Sequence, residues 1–363
     1  MKLTFKPDWE SCKKRYEAWW AHEDFGRAGI WVTSPVSGVE RAPYHVVTRV
    51  DSIDQWLDKD FLRRAMNAYL ENTFFGGEAV PIWNAGQTGW DALPAIVGCA
   101  VSFSQDAAWW HPIMEHGCLS SYTPRDIAID TNNRWFKLAD EFRAFTLAES
   151  KGRAIPSTSV LTGAGDALAS LRTTEQLIYD LIDEPDTVAK FEIRMMELWI
   201  EYYEKIYEEL KDAAEGSAGW FQLWAPGKFY ASQCDFAYMI SPEDFERCFL
   251  PAIEMQTNYL DYTIHHVDGE GNFRHVDLLC QLLRLQALQI LPGPGKPSPL
   301  AYPDVLQKVQ RANKNLHITI PPEEIKTALD MLSSRGLMID TWANSQEDAE
   351  DIIRLVEKNS VVR

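Results

Sequence analysis

The sequence predicts an α/β protein built as a closed (β/α)8 TIM barrel with an N-terminal helical extension. Three observations carry this. From about residue 217 onward, short apolar runs alternate with longer amphipathic ones at the spacing of βα units. The strand candidates are apolar almost throughout, as strands covered on both faces by helices are. The length, 363 residues, is one that a single barrel with insertions reaches, and no linker-like or low-complexity stretch divides it.

Taken in order, helices are expected at Asp8 to His22, Asp54 to Asn72, Asn132 to Glu149 and Pro185 to Ala214. Strands are expected in the same half at Gly29 to Thr33, Glu78 to Trp83 and Ile155 to Leu161. Ser217 to Trp224 reads as the next strand. Ser241-Pro242-Glu243-Asp244 supplies a cap, a first-position proline and early acids, so a helix starts there and runs towards Tyr259. Pro251 should kink it. Strands then follow at Tyr262 to Val267, Leu288 to Leu291, Leu316 to Ile320 and Gly336 to Thr341. Helices alternate with them at Phe273 to Arg284, Tyr302 to Lys314, from Pro321-Pro322-Glu323-Glu324 onward, and at Ser345 to Lys358. The total approaches eight βα units. Residues 1–363 therefore read as one domain, with 1–75 supplying the helical extension and first strand. An open doubly wound sheet ranks second, because no Gly-rich phosphate loop follows the first strand. Gly163-Ala164-Gly165-Asp166 lacks the Lys-Ser/Thr of such a loop and reads as a helix-opening turn. Pro292 to Pro297 reads as a loop between strand and helix.

Composition excludes several classes of function. The hydrophobic and charged fractions, 46% and 24%, are those of a globular protein. A net charge of −18 with no dense basic run argues against nucleic acid and against an acidic membrane surface. The N-terminus shows no apolar signal core, and the apolar stretch Ala92 to Phe103 is too short to span a bilayer. Cysteines 12, 99, 118, 234, 248 and 280 lack CxxC spacing, which fits reduced thiols in a cytoplasmic protein. A small-molecule substrate is the expected partner, and assembly into an oligomer is left open.

In a parallel barrel the working residues sit at the carboxyl ends of the strands. Those ends hold Trp224, His265-His266-Val267-Asp268-Gly269, Gln289, Thr319 and Asp340-Thr341. Residues two apart on a strand share a face, so His266 and Asp268 point together and His265 points away. Such a pair suits acid/base catalysis, two ligands of a metal with an open position, or a hydrogen bond that fixes a loop. His265 reads as structural. Asp235 can hold a polar substrate group or satisfy backbone amides, and Cys234 reads as a small buried residue. Of the 14 tryptophans, most must be core. Trp109 and Trp110, with Trp224, are the ones kept as walls for a flat ligand.

Several segments together resemble the uroporphyrinogen decarboxylase superfamily. Cys234-Asp235-Phe236-Ala237-Tyr238-Met239-Ile240-Ser241-Pro242-Glu243-Asp244-Phe245 looks like its Asp…Ser-Pro-x-x-Phe stretch, and Tyr262 to Gly269 like its "yHlDG" strand. Leu288 to Gly293, Gly163 to Leu171 with Glu175-Gln176-Leu177 and Asp183-Glu184-Pro185, and the tail Thr341 to Lys358 are similar to further motifs in the same order. The resemblance covers most of the chain and is best from about residue 155. It implies a (β/α)8 barrel with one of two activities. One is cofactor-free decarboxylation. The other is methyl transfer with corrinoid proteins, often with zinc on a His-x-Cys pair and a later Cys. His266 falls at the family His, Asp268 at the first Cys, and Ala343 near the later Cys. The Arg-rich decarboxylase signature is reduced to Gly26-Arg27-Ala28-Gly29.

The leading expectation is a methyltransferase-like enzyme that moves a methyl group between a small organic substrate and a corrinoid (cobalamin) carrier on a partner protein. His266 and Asp268 would bind a divalent metal, zinc or another, or act as acid and base. Asp235 and Gln289 would orient the substrate, against Trp109 and Trp110. A decarboxylase or lyase using the same pocket is the second reading, which a basic cluster around Arg27 would favour. A catalytically inactive barrel that binds a ligand or a corrinoid protein is the third. Such a barrel would lack strongly perturbed titratable groups.

Overall fold

A computed structural model describes residues 2–44, 47–84, 89–157 and 159–363. Among these, the strands in chain order are β1 (Gly29–Pro35), β2 (Thr73–Gly77), β3 (Ile82–Trp83), β4 (Ala100–Phe103), β5 (Ala108–His111), β6 (Ile155–Pro156) and β7 (Ser217–Ala218). They continue with β8 (Trp224–Ala225), β9 (Phe229–Gln233), β10 (Tyr262–Asp268), β11 (Ala287–Leu291), β12 (Asn315–Thr319) and β13 (Leu337–Trp342). A seven-stranded sheet runs in the order β2-β1-β13-β12-β11-β10-β9. All its neighbours are parallel except β2, which pairs antiparallel with β1. The first long strand thus lies beside the last. β3 and β6 form a separate parallel pair.

The parallel ladders are in phase. One row across the sheet reads Gln233, His266, Gln289, His317, Met338, Gly29, each residue opposite the next. Side chains in such a row share a face and stand one strand spacing apart, about 4.8 Å. Gly29 closes the row because a Cβ there would meet the Met338 sulfur at 2.6 Å.

Helices cover the sheet as the βα spacing predicts. The 30-residue helix Pro185–Ala214 begins on a first-turn proline and ends where Glu215 turns left-handed. Its apolar stripe of Val188, Phe191, Met195, Trp199, Tyr202, Ile206 and Leu210 is buried. On its face towards the sheet, the Tyr203 hydroxyl donates to the Phe229 carbonyl at 2.7 Å and pins the start of β9. The helix read from Ser241 to Tyr259 is interrupted, as Pro251 demands. A π-turn at Phe245–Phe249 takes up the missing N–H before Leu250–Tyr259 resumes. The helix Trp9–Trp20 closes the amino ends of the strands. Trp19 Nε1 donates to the Gly336 carbonyl (3.0 Å), and Asn315 Nδ2 donates to the Trp19 carbonyl (2.6 Å). Trp20 packs on Phe229 and Tyr262.

Ser217 to Trp224 is not one strand. β7 and β8 pair antiparallel, with the turn at Gly219 and at Gln222, whose φ is +58°. The strand that joins the sheet is β9, a few residues later. The run is apolar because the hairpin tip enters the interior: Trp220 Nε1 donates to the mid-strand carbonyl of Ala231 at 3.3 Å. β2 and the hairpin β4–β5 were not expected from the sequence. No helix of the described residues is long and apolar enough to cross a membrane, and the six cysteines are unpaired.

Candidate active site

His266 stands on β10 in the middle of the polar row. Its Nδ1 bonds Gln289 Oε1 on β11. The same amide places Nε2 3.2 Å from His317 Nδ1 on β12. Burial pushes His317 down to about 3, with His266 adding to the effect, so its ring is neutral and Nδ1 can accept from the amide. That fixes Gln289 as acceptor towards His266. His266 Nδ1 therefore donates to Gln289, and Nε2 faces Asp268 Oδ2, 3.9 Å away. The hairpin tip forms the floor: Trp220 meets the His266 ring edge-on at 5.3 Å, and Phe221 touches both His266 (5.9 Å) and His317 (5.1 Å). His265 points the other way. It bonds Ser232 at 2.8 Å and is pushed down to about 3 by burial.

The acids gather above. Asp268 Oδ1 is buried without a hydrogen-bond partner, and its backbone carbonyl accepts from Asn272 Nδ2 at 2.6 Å. Asp235 follows β9 and opens to solvent at its tip. Crowding by protein raises its carboxyl, His266 lowers it and Asp268 raises it again, which places all three groups in one field. The loop carrying Asp235 is held by Asp166, whose carboxylate accepts from the backbone N–H of Asp235 (3.1 Å) and Phe236 (2.9 Å) and from Gln233 Nε2 (3.2 Å). Burial and then Asp235 raise Asp166. Gly165, at φ +78°, opens the helix Asp166–Arg172 as the sequence suggests, and its N–H donates to Glu192 Oε2 at 2.9 Å. Gly269, at φ +85°, does not admit a ligand to the backbone. The Tyr238 ring occupies that space, 2.8 Å from where a Cβ would stand.

A cavity of about 730 Å³ lies at the carboxyl ends of β1, β12 and β13. Trp31, Thr33, Thr319, Asp340 and Trp342 line it, as does Gln222 of the hairpin tip, next in the chain to Phe221. The register places Asp340 between Thr319 and Trp31. Thr319 Oγ1 donates to Asp340 Oδ2 at 3.1 Å, and burial pushes the Asp340 carboxyl up to about 7. The strand-end reading passes through Thr319 and Asp340. What it lacks is the register, since the sequence does not say which residue of β1 stands opposite Asp340.

Other expected site residues lie elsewhere. Trp224 is buried at the amino end against Trp9 (5.1 Å) and Tyr16 (6.1 Å), because β8 is the returning arm of the hairpin. Trp109 and Trp110 alternate on β5. The first is 60% exposed, and the second donates its indole N–H to the Gly89 carbonyl at 3.1 Å. Among the described residues no hydrogen bond or ring contact joins either to His266 or Asp268. Cys234 is buried with its thiol pushed well above the ordinary range, first by that burial. Arg27 is held by Glu78 through two 2.8 Å bonds before the start of β1, so it does not seed a basic cluster at the mouth. Nor does a zinc donor set assemble. Among the described residues no three His, Cys, Asp or Glu side chains group as metal ligands, and His266 Nδ1 is already engaged. The residues present do not fit the zinc site that the resemblance implies.

No protein-family model matches the chain, and no curated protein does. Among solved structures, a methyltransferase from Methanosarcina mazei superposes with a TM-score of 0.61, covering 96% of this chain and 98% of that one, at 11% sequence identity. At that identity the likeness is one of fold.

Proposed function

We propose that the chain is a methyltransferase-like enzyme that moves a methyl group between a small organic substrate and a corrinoid carried by a partner protein. We further propose that the seven-stranded sheet closes into a barrel around the site, with β3 and β6 bridging from β2, on the outer edge of β1, to β9. The adjacency of β1 and β13 supports closure, as does the parallel pairing of β3 with β6. The observation that carries the functional reading is the aligned row His266–Gln289–His317 with Asp268 beyond His266 on the same strand, in a fold shared end to end with a methyltransferase.

The corrinoid would supply the methyl-carrying centre. This chain's part is the proton. His266 Nε2 takes it from the acceptor's heteroatom, Asp268 stabilises the imidazolium that forms, and the reverse reaction returns it. Asp235 adds negative charge on the same side. Gln289 holds the tautomer that leaves Nε2 free. The engagement of Arg27 by Glu78 removes the feature that would favour a carboxy-lyase. The raised carboxyls of Asp166, Asp235 and Asp340 weigh against an inactive binding barrel.

Methyl exchange with methylcobalamin, followed spectroscopically across amine, thiol and hydroxyl acceptors, tests this reading. His266→Ala and Asp268→Asn should each lose roughly two to four powers of ten in rate. Full turnover in both variants would remove the pair from the mechanism. Metal analysis should find no stoichiometric zinc, and one zinc per chain would return His266 and Asp268 to ligand roles.

A further inference from the structure

The 730 Å³ cavity has a composition of its own. Four aromatic residues line it: Trp31, Tyr44, Tyr69 and Trp342. Its charged groups are two carboxylates, Asp340 and Glu40, and one guanidinium, Arg41. Arg41 is turned onto Tyr44, bonding its hydroxyl at 2.8 Å with the charge 5.2 Å above the ring. Thr319 reaches only Oδ2 of Asp340, and among the described residues none donates a hydrogen bond to Oδ1. On β13, Asp340 and Trp342 are two apart and share a face, and Trp31 sits directly across from Asp340 on β1. A carboxylate set between indole rings is an environment that attracts a cation by charge and by ring quadrupole together. The neutral polar groups nearby, Thr319 and Gln222, can serve a short polar tail.

We propose that this cavity is a binding site for a small methylated ammonium ion, held by Asp340 and the faces of Trp31 and Trp342, and that such amines are the substrate class of the methyl transfer. The second half rests on the methyltransferase reading above, while the first does not. In the methylation direction, an ammonium bearing N–H gives that proton to His266. The freed nitrogen pair then forms the bond to the methyl carbon as the bond to the carrier breaks, its electron pair staying on the carrier. Substrate and product are both cations, so one cage serves each.

Titration calorimetry with choline and with its uncharged carbon isostere 3,3-dimethylbutan-1-ol separates charge from shape. Choline should bind wild-type protein at least about tenfold tighter than the isostere, and Asp340→Asn should cut that preference severalfold. Trp342 is 51% exposed, so Trp342→Ala should leave folding intact while weakening choline by about two- to thirtyfold. Equal affinity for the two ligands, a preference undiminished by Asp340→Asn, or no binding of either at 10 mM (~100 times a typical substrate level) would overturn the cage. Methyl exchange on thiols or alcohols without choline binding would sink the cage and keep the methyltransferase. Choline binding without methyl exchange on any acceptor would do the reverse.

Discussion

His266 is useful because of what its other nitrogen does. An imidazole with an unoccupied Nδ1 can place its proton on either atom. Here the Gln289 carbonyl oxygen takes Nδ1, and neutral His317 fixes which way the amide faces. Gln289→Leu should therefore lower turnover about tenfold, the worth of one hydrogen bond near 1.4 kcal/mol. It should also shift the His266 tautomer seen in 15N spectra, a change that mere loosening of the pocket would not give. The pairing of His266 with Asp268 is readable from a period of two along one strand. The Gln289–His317 link is not, because it depends on how far β10, β11 and β12 slide against one another. Trp224 misleads for a related reason: an apolar run is the same string whether it lines a sheet or folds back on itself.

Turns decide much of the mouth. Gly269 combines a left-handed backbone with the Tyr238 ring packed where a side chain would begin. Gly269→Ala should cost ~1–3 kcal/mol, read as a drop in denaturation midpoint, and should move Asp268 with it. The sequence marks this turn, since Asp-Gly after an apolar strand is a strong signal. What fills the space above it is a tyrosine from the segment after β9, which only the fold brings there. The short strands β3 and β6 were expected longer, at Glu78 to Trp83 and Ile155 to Leu161. Glu78 instead turns into the interior, accepting from the backbone N–H of Ile30 at 2.6 Å and from Arg15 and Arg27. The alternation from residue 262 onward reads more faithfully because each strand there stands between two helices in the chain.

The chain as a whole keeps several acids out of water. Glu192, buried in the long helix, has its carboxyl pushed up to about 8 by that burial, with Asp166 opposing ionisation as well. A glutamate in the unfolded chain ionises near 4.3. Between those values the folded protein holds a proton that the unfolded chain has released, so this contribution is full at low pH and drains as pH rises through 8. Glu192→Gln should leave the melting temperature near pH 5 almost unchanged and raise it near pH 8, narrowing the gap between the two. A wider gap would mean that the carboxylate is ionised and paired in the native state. Asp340, at about 7, acts in the same sense and leaves a residual slope. His265 and His317 act oppositely, costing stability as pH falls below their free value of about 6.5.

The floor beneath His266 is not made by the sheet. Trp220, Phe221 and Gln222 arrive on a finger that enters from the opposite end and whose base is tied by the Ser217 hydroxyl to the Gly227 carbonyl at 2.7 Å. Depth and chemistry are therefore governed by separate pieces of chain. A descendant could exchange the fingertip, deepen or shallow the chamber, and take up a larger or smaller molecule while every proton-handling group stayed where it was.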